Sequence, residues 1–311
     1  MEIMRGWHNL PTNSYHGSVV TLGNFDGVHL GHQKLLVELK KAAQQLQLPS
    51  TVVLFEPHPK TFFDPTHAPI TITPLAEKLR LLSQWGVDRV VCLAFNKELS
   101  QLSAQDFVSD FLVRDLKAKK ILIGDDFRFG HRRTGDIHLL QELGSQYDFL
   151  VETLPTYFIG EERVSSSRIR SHLVDGDCEA AAQLLGGFYH LAGIVRHGDK
   201  RGRTLGYPTA NIAVHASQLA IPYGIYVVKV AGIDSTKELQ GVASLGVRPT
   251  LKSAPVLWLE VHLFDFNASL YDKKLTVYFL HRLRDELAFN SIADMVTQMH
   301  QDEADARKYF K

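Results

Sequence analysis

Two stretches of this chain join glycine to side chains able to bind phosphate. The first is GNFDGVHLGH, residues 23–32. His29 and His32 are three residues apart, so once a helix has begun they share a face and can contact one anion. Gly23, Gly27 and Gly31 let the backbone approach a ligand closely. The segment leaves an apolar run and enters a helical pattern that continues through Leu39, and helix N-terminal amides attract phosphate. In nucleotidyl transfer, negative charge grows on the non-bridging oxygens of the α-phosphate and on the departing pyrophosphate. Imidazole donors aimed there stabilise the transition state, and no protein nucleophile is needed. The alternative is a glycine-rich turn in which one histidine caps the helix and the other packs. A metal centre is disfavoured, because no third ligand stands nearby in the sequence.

The second stretch is GRTLGYPTAN, residues 202–211. Thr209 and Asn211 are two apart, so on an extended segment both point to one face and can offer oxygens to one Mg²⁺ or phosphate. The preceding glycines supply a loop whose amides can cover phosphates. A turn leading into an edge strand accounts for the same residues. Two shorter segments, GDDFRFG at 124–130 and SSSRIR at 165–170, bring hydroxyls and arginines; with helix amides, Arg168 or Arg170 would form a phosphate clamp. Taken singly, each is equally ordinary capping with solvated arginine. No Walker A pattern occurs, which disfavours a P-loop NTPase.

The elements that must position these groups fall into two textures. Residues 19–22, 51–55, 89–94, 120–124 and 149–154 are short apolar runs bounded by polar or Gly/Pro positions, and they read as buried strands. Helical patterns separate them: Ser103 with Asp106 forms a capping box with Leu102 and Phe107 as its staple, and Thr73-Pro74 opens another helix. Strands alternating with helices imply a mostly parallel sheet covered on both faces, an α/β domain of Rossmann-like kind. The 23–32 segment then follows a strand at its carboxyl end, where such sheets bind ligands. After Gly186-Gly187 the helical period disappears, and strand-like runs at 224–230, 239–245, 257–264 and 275–283 follow one another, as in an antiparallel barrel or sandwich. In the third run Leu257, Leu259, Val261 and Leu263 alternate with Trp258, Glu260, His262 and Phe264, so one face is aliphatic and the other mixed. A final helix opens at the Ser291/Asp294 capping box, and its stripe of Ile292, Met295, Val296 and Met299 is expected to pack on the barrel. These textures divide the chain at residues 1–186 and 187–311.

Composition narrows the classes of partner. At 311 residues the chain exceeds the usual span of one core. Its 34 basic residues balance 34 acidic ones, which argues against a nucleic-acid backbone or an anionic membrane as main partner. Cys92 and Cys178 are far apart and outside any metal or redox spacing, so reduced, buried thiols are expected. No segment approaches the roughly 18 apolar residues of a spanning helix. A cytoplasmic enzyme is the expectation.

The order GNFDGVHLGH, then FEPHP at 55–59, then GDDFRFG, then SSSRIR resembles the adenylyltransferase half of the bacterial bifunctional riboflavin kinase/FAD synthetase family. The 202–211 segment, GVRPT at 246–250, the Glu260 run, Tyr271 and residues 284–289 follow in the order of that family's kinase module. The resemblance implies that His29 and His32 act on the ATP phosphates. It places Gly23, Asn24, Phe25, Asp26, Gly31, Asp126, Arg128, Ser166, Ser167 and Arg168 in the adenylyltransferase's ATP pocket. For the kinase it implies ATP binding by Gly202, Arg203, Gly206 and Pro208, a metal at Thr209 and Asn211, flavin binding by Arg284 and Phe289, and Glu260 as the base. Riboflavin, FMN and ATP would be the substrates and Mg²⁺ the metal. Three positions depart from the family: Ser167 replaces a usual threonine, Ser244 an asparagine, and Asp272 a glycine in a turn, where aspartate tolerates left-handed geometry. Two other readings remain open here: a single working half acting on another acceptor, or a nucleotide- or flavin-sensing regulator without turnover.

Overall fold

A computed structural model describes residues 1–10, 16–197, 207–214, 219–234, 237–248 and 256–311. The chain separates into two compact units, one of Met1–Pro69 with Thr73–Ser166 and one of Ile70–Ile72 with Ser167–Lys311.

Six parallel strands form the sheet of the first unit: β1 (Glu2–Arg5), β2 (Ser18–Leu22), β3 (Ser50–Glu56), β4 (Arg89–Ala94), β5 (Ala118–Gly124) and β6 (Leu150–Leu154). Their order is β1-β4-β3-β2-β5-β6. From β2 the chain winds outward through β3 and β4, then returns to β5 on the other side, so the winding reverses between β2 and β5. That reversal opens the crevice where doubly wound sheets bind ligands. Successive strand residues feed opposite faces. Val52, Leu54 and Val90 pack with α1 (Leu30–Leu46), while Val53, Val91, Ile121 and Ile123 pack with Phe107, Phe111 and Leu140. Both faces are therefore apolar, as a buried parallel strand requires. The other helices are α2 (Pro59–Phe63), α3 (Leu75–Gln84), α4 (Lys97–Gln101), α5 (Ala104–Asp106, continuing with π-helical bonding over Phe107–Asp115) and α6 (Ile137–Tyr147).

Three details differ from expectation. β6 is an edge strand whose Leu150 is exposed, so the run at 149–154 is buried mainly at its two ends, Phe149 and Leu154. A short hairpin, β7 (Phe158–Ile159) with β8 (Glu162–Arg163), precedes α7 (Ser166–Asp175). Pro74 rather than Thr73 takes the N-cap position of α3, with no side-chain cap bond, and the Thr73 amide donates to the Asp26 carboxylate, 2.9 Å away.

In the second unit α7 leads to α8 (Cys178–Leu185) and then to β9 (His190–Arg196), β10 (Ala210–Val214), β11 (Gly224–Ala231), β12 (Leu239–Arg248), β13 (Val256–Leu263) and β14 (Lys274–Arg284). These six form a closed antiparallel barrel in the order β10-β13-β12-β11-β14-β9. The alternation along β13 holds, with Leu257, Leu259, Val261 and Leu263 buried and Trp258, Glu260 and His262 partly exposed. Phe264 departs from it, being buried with Leu280, Ala306 and Phe310.

Helix α9 (Ile292–Tyr309) begins at the Ser291 cap as expected, yet docks differently. Ile292 is 67% exposed and Met295, Val296 and Met299 are only half-buried; the fully buried positions are Asp302 and Ala306. The cause is a polar anchor. Arg284 grips Asp302 with two parallel bonds of 2.8 and 2.6 Å, seating the C-terminal half of the helix and leaving the apolar stripe of its N-terminal half uncovered.

Candidate functional sites

At the end of β2 the Gly23 amide still bonds to the Val53 carbonyl, 3.1 Å away, and then the chain turns sharply. Phe25, Gly27 and Val28 all take positive φ, of 48°, 88° and 42°. Left-handed backbone is unfavourable for an aromatic and worse for a β-branched residue, costing about 1–3 kcal/mol each. Burial holds both: Phe25 and Val28 are almost wholly enclosed in the core beneath α1. This turn delivers His29 to the N-cap of α1, where its Nδ1 accepts the His32 amide at 3.3 Å. A neutral His29 with Nδ1 so occupied carries its proton on Nε2. The two imidazoles stack with centroids 3.6 Å apart, and Gly31 keeps the approach open, since a Cβ there would lie 3.3 Å from the His29 ring. The expected shared face therefore exists, with one histidine at the cap and the other in the first turn.

Electrostatics sets the state of the pair. Burial, then the neighbouring His29, then the Lys78 ammonium all hold His32 well below the ordinary imidazole value of 6.5. His32 Nδ1 is buried without a hydrogen-bond partner among the described residues. Lys78 itself is buried, with Glu56 3.9 Å from its Nζ.

Asp26 organises the loop instead of facing outward. Its carboxylate binds the Thr73 amide, and its carbonyl accepts the Ser166 hydroxyl at 2.8 Å, so one residue ties the 23–32 turn to the entries of α3 and α7. Asn24 contacts His58 of the FEPHP segment at 3.1 Å. In that segment the Glu56–Pro57 bond is cis. Beyond β5, Asp125 binds the amide and hydroxyl of Thr156 at 2.8 and 2.7 Å, which lowers its proton affinity. Asp126 is ion-paired with Arg163, and Arg128 is exposed with Asp136 4.0 Å away. Ser167 and Arg168, the next residues of α7, are exposed and belong to the second unit. Phe62 and Phe63 of α2 meet Phe95 edge-to-face, with Phe63 68% exposed.

The barrel site is built by register. Asn211 on β10 lies directly opposite Glu260 on β13, and Glu260 lies opposite Ser244 on β12, so the three occupy one row across adjacent strands. Asn211 is buried and donates to the Thr209 carbonyl at 3.1 Å. The entry to β10 is braced: Tyr207 stacks on His262 at 3.9 Å and hydrogen-bonds Glu303, while His262 Nδ1 lies 2.9 Å from the Pro208 carbonyl. A cavity of about 640 Å³ opens beside it, lined by Pro208, Thr209, His262, Asn267, Ser269 and Tyr271 among others. Asp272, in the turn below Tyr271, has φ of 60°, the left-handed geometry expected of a residue replacing glycine. Glu286 lies against Gly246, where any Cβ would overlap its carboxylate; burial and then Glu260 raise its proton affinity. Arg284 is occupied by Asp302, and Phe289 is half-buried after β14. Gly202, Arg203 and Gly206 lie outside the described residues, as do Pro249 and Thr250. Among the described residues no three His, Cys, Asp or Glu side chains are grouped to hold a metal ion.

Comparison with known proteins covers both halves of the chain. A family described as FAD synthetase matches residues 12–168 and one described as riboflavin kinase matches residues 185–310. The bifunctional riboflavin kinase/FMN adenylyltransferase of Escherichia coli K12 is 42% identical over 100% of this chain and 98% of its own length. The chain belongs to that bifunctional family. The Pseudomonas fluorescens member is 44% identical over 99% of this chain. A solved structure described as a macrolide-efflux protein from Streptococcus pneumoniae is 34% identical and covers 99% of each chain, with a TM-score of 0.84. No described helix of the present chain is long and apolar enough to cross a membrane.

Against this family background, four residues to which the motif reading gave no role stand out: His58 within FEPHP, Glu286 within residues 284–289, and Lys78 and Asp302 outside any motif. Two carried a signal. Lys78 falls on the apolar stripe of Leu75, Leu79 and Leu82, and Asp302 falls on that of Met295, Met299 and Ala306, so each is a charge where helical period demands an apolar side chain. His58 and Glu286 lie after strands with no periodic context.

Proposed function

We propose that the two units carry out successive reactions of flavin cofactor synthesis, with Mg²⁺ accompanying ATP in both. In the barrel the ribityl hydroxyl oxygen of riboflavin attacks the γ-phosphorus of ATP, the bond to the β–γ bridging oxygen breaks, and ADP departs. Glu260 takes the hydroxyl proton, and Thr209 and Asn211 hold the metal and phosphates, which is the positioning and charge compensation that phosphoryl transfer needs. Pro208 and the cavity beside it accommodate the nucleotide, and Gly202, Arg203 and Gly206 contribute to ATP binding. Arg284 and Phe289 flank the flavin.

In the first unit a phosphate oxygen of FMN attacks the α-phosphorus of a second ATP, and pyrophosphate leaves. His29 and His32, with the amides opening α1, donate to the charge that develops. Gly23, Phe25 and Gly31 shape the turn that presents them, Asn24 and Asp26 form the pocket wall, and Asp126, Arg128, Ser166, Ser167 and Arg168 contribute to nucleotide binding. The edge-to-face cluster of Phe62, Phe63 and Phe95, of which Phe63 is exposed, suits the flat flavin ring. A need for ATP and two buried free cysteines support a cytoplasmic location.

The observation that carries the reading is the register setting Glu260 opposite Asn211, because it brings a proton acceptor and a metal ligand into one row. The purified chain, incubated with riboflavin, ATP and Mg²⁺ under reducing conditions, is expected to yield FMN and then FAD by chromatography. Failure to form either product would overturn the proposal.

A further inference from the structure

We propose that His58 is a positioning residue for adenylyl transfer: its Nε2–H holds the side-chain oxygen of Asn24, which turns the Asn24 NH₂ toward the anionic nucleotide bound at His29 and His32. This rests on the reading of the first site given above.

Hydrogen-bond arithmetic leads there. His58 caps α2, its Nδ1 accepting the Lys60 amide at 3.1 Å. A neutral imidazole that accepts at Nδ1 carries its proton on Nε2. That Nε2 lies 3.1 Å from the Asn24 amide atom assigned as Nδ2, which would set one N–H against another. The two ends of an asparagine amide are told apart by their partners rather than by shape, and here the partner demands an acceptor. Asn24 therefore presents Oδ1 to His58, and its NH₂ occupies the other end of the amide.

That other end is the informative one. It is buried, and among the described residues nothing bonds to it. His32 Nδ1, in the same glycine-rich turn, is likewise buried and unpartnered. Buried polar atoms are nearly always satisfied, so two unsatisfied ones in one turn mark a place that a ligand completes. With the amide turned, Asn24 offers a donor there, as an anionic phosphate requires.

The two nitrogens of His58 can be tested separately by substitution. His58→Asn retains an acceptor for the Lys60 amide, since asparagine is a good N-cap, but cannot reach Asn24. His58→Gln reaches Asn24 with an N–H donor and weakens the cap. In FAD formation from supplied FMN, the Asn variant is expected to raise the ATP KM by about tenfold or more, the size of a lost hydrogen bond to a charged group, with a smaller change in kcat. The Gln variant is expected to remain within about threefold of the parent. FMN formation by the barrel reports intact protein in both. A capping role alone predicts the reverse order, and that order, or equal loss in both variants, overturns the proposal. Nitrogen NMR of the parent, with histidine labelled, adds a readout independent of turnover: an Nε2–H tautomer at His58 is expected, and an Nδ1–H tautomer refutes the arrangement. If the parent forms no FAD, the functional reading fails while the tautomer still decides the Asn24 orientation.

Discussion

The two sites achieve the same task, presenting groups to phosphate, by opposite means. In the barrel, Asn211, Glu260 and Ser244 stand in one row because three neighbouring strands are in register, and the ladder itself fixes their separation. In the first unit, His29 and His32 are delivered by a turn with left-handed backbone at Phe25 and Val28, held by core burial and by Asp26 bonds to Thr73 and Ser166. A site built on register depends on few distant residues. A site built on a strained turn depends on many, some more than a hundred positions away.

Separate substitutions sharpen this contrast. Glu260→Gln keeps the shape of the row and removes the proton acceptor, so FMN formation should fall by roughly 10²–10⁴. FAD formation from supplied FMN should persist, and loss of both in folded protein would contradict independent sites. Replacing His29 and His32 together by alanine should lower adenylyl transfer by about 10²–10³ while FMN formation continues. If the double variant retains parental FAD synthesis, the stacked imidazoles are packing only.

A third change probes what holds the barrel's last helix. Asp302→Asn removes the carboxylate that Arg284 grips, leaving a largely buried guanidinium without its counter-charge. The expected loss is about 3 kcal/mol in urea unfolding of the second unit. An unchanged transition would mean that apolar contacts of α9, such as Phe310 on Phe264, carry the docking instead.

The same contrast explains what the sequence disclosed. The strand runs, the parallel sheet followed by a barrel, the capping boxes at Ser103 and Ser291 and the shared face of His29 and His32 follow from local periodicity and turn chemistry, the left-handed turn at Asp272 follows from the family resemblance, and all recur in the structure. What stayed hidden is set by partners far along the chain. The Asp26 bracket joins residues 140 positions apart, and no spacing announces it. The stripe at Ile292 looked like a core face because amphipathic period reports which residues share a side, not how far along the helix that side is covered; the Arg284–Asp302 pair seats only its C-terminal half. Lys78 stands on the apolar stripe of Leu75, Leu79 and Leu82, a signal in the sequence whose meaning, a buried ammonium, depends on the strand layer beneath the helix.

The smallest effect tests whether His32 is truly held neutral. Its proton affinity in the folded chain is depressed, chiefly by burial and further by His29 and Lys78, whereas the unfolded chain takes up that proton near the ordinary 6.5. Stability from the neutral, buried imidazole is therefore fully present above that value and is lost as pH falls through and below it. The slope is that of one proton, at most about 1.4 kcal/mol per pH unit, and it levels off where folded His32 itself protonates. His32→Gln keeps a polar side chain but cannot take up a proton, so its stability should fall less than the parent's between about pH 7 and pH 5. Parallel curves for the two proteins would show that His32 titrates as freely folded as unfolded. Lys78→Met should narrow the window, because removing the ammonium raises the affinity of folded His32 for its proton while leaving the unfolded chain unchanged. The first site would then differ from the barrel in one more respect: His32 is kept neutral chiefly by its own burial, with His29 and the buried Lys78 ammonium adding to it.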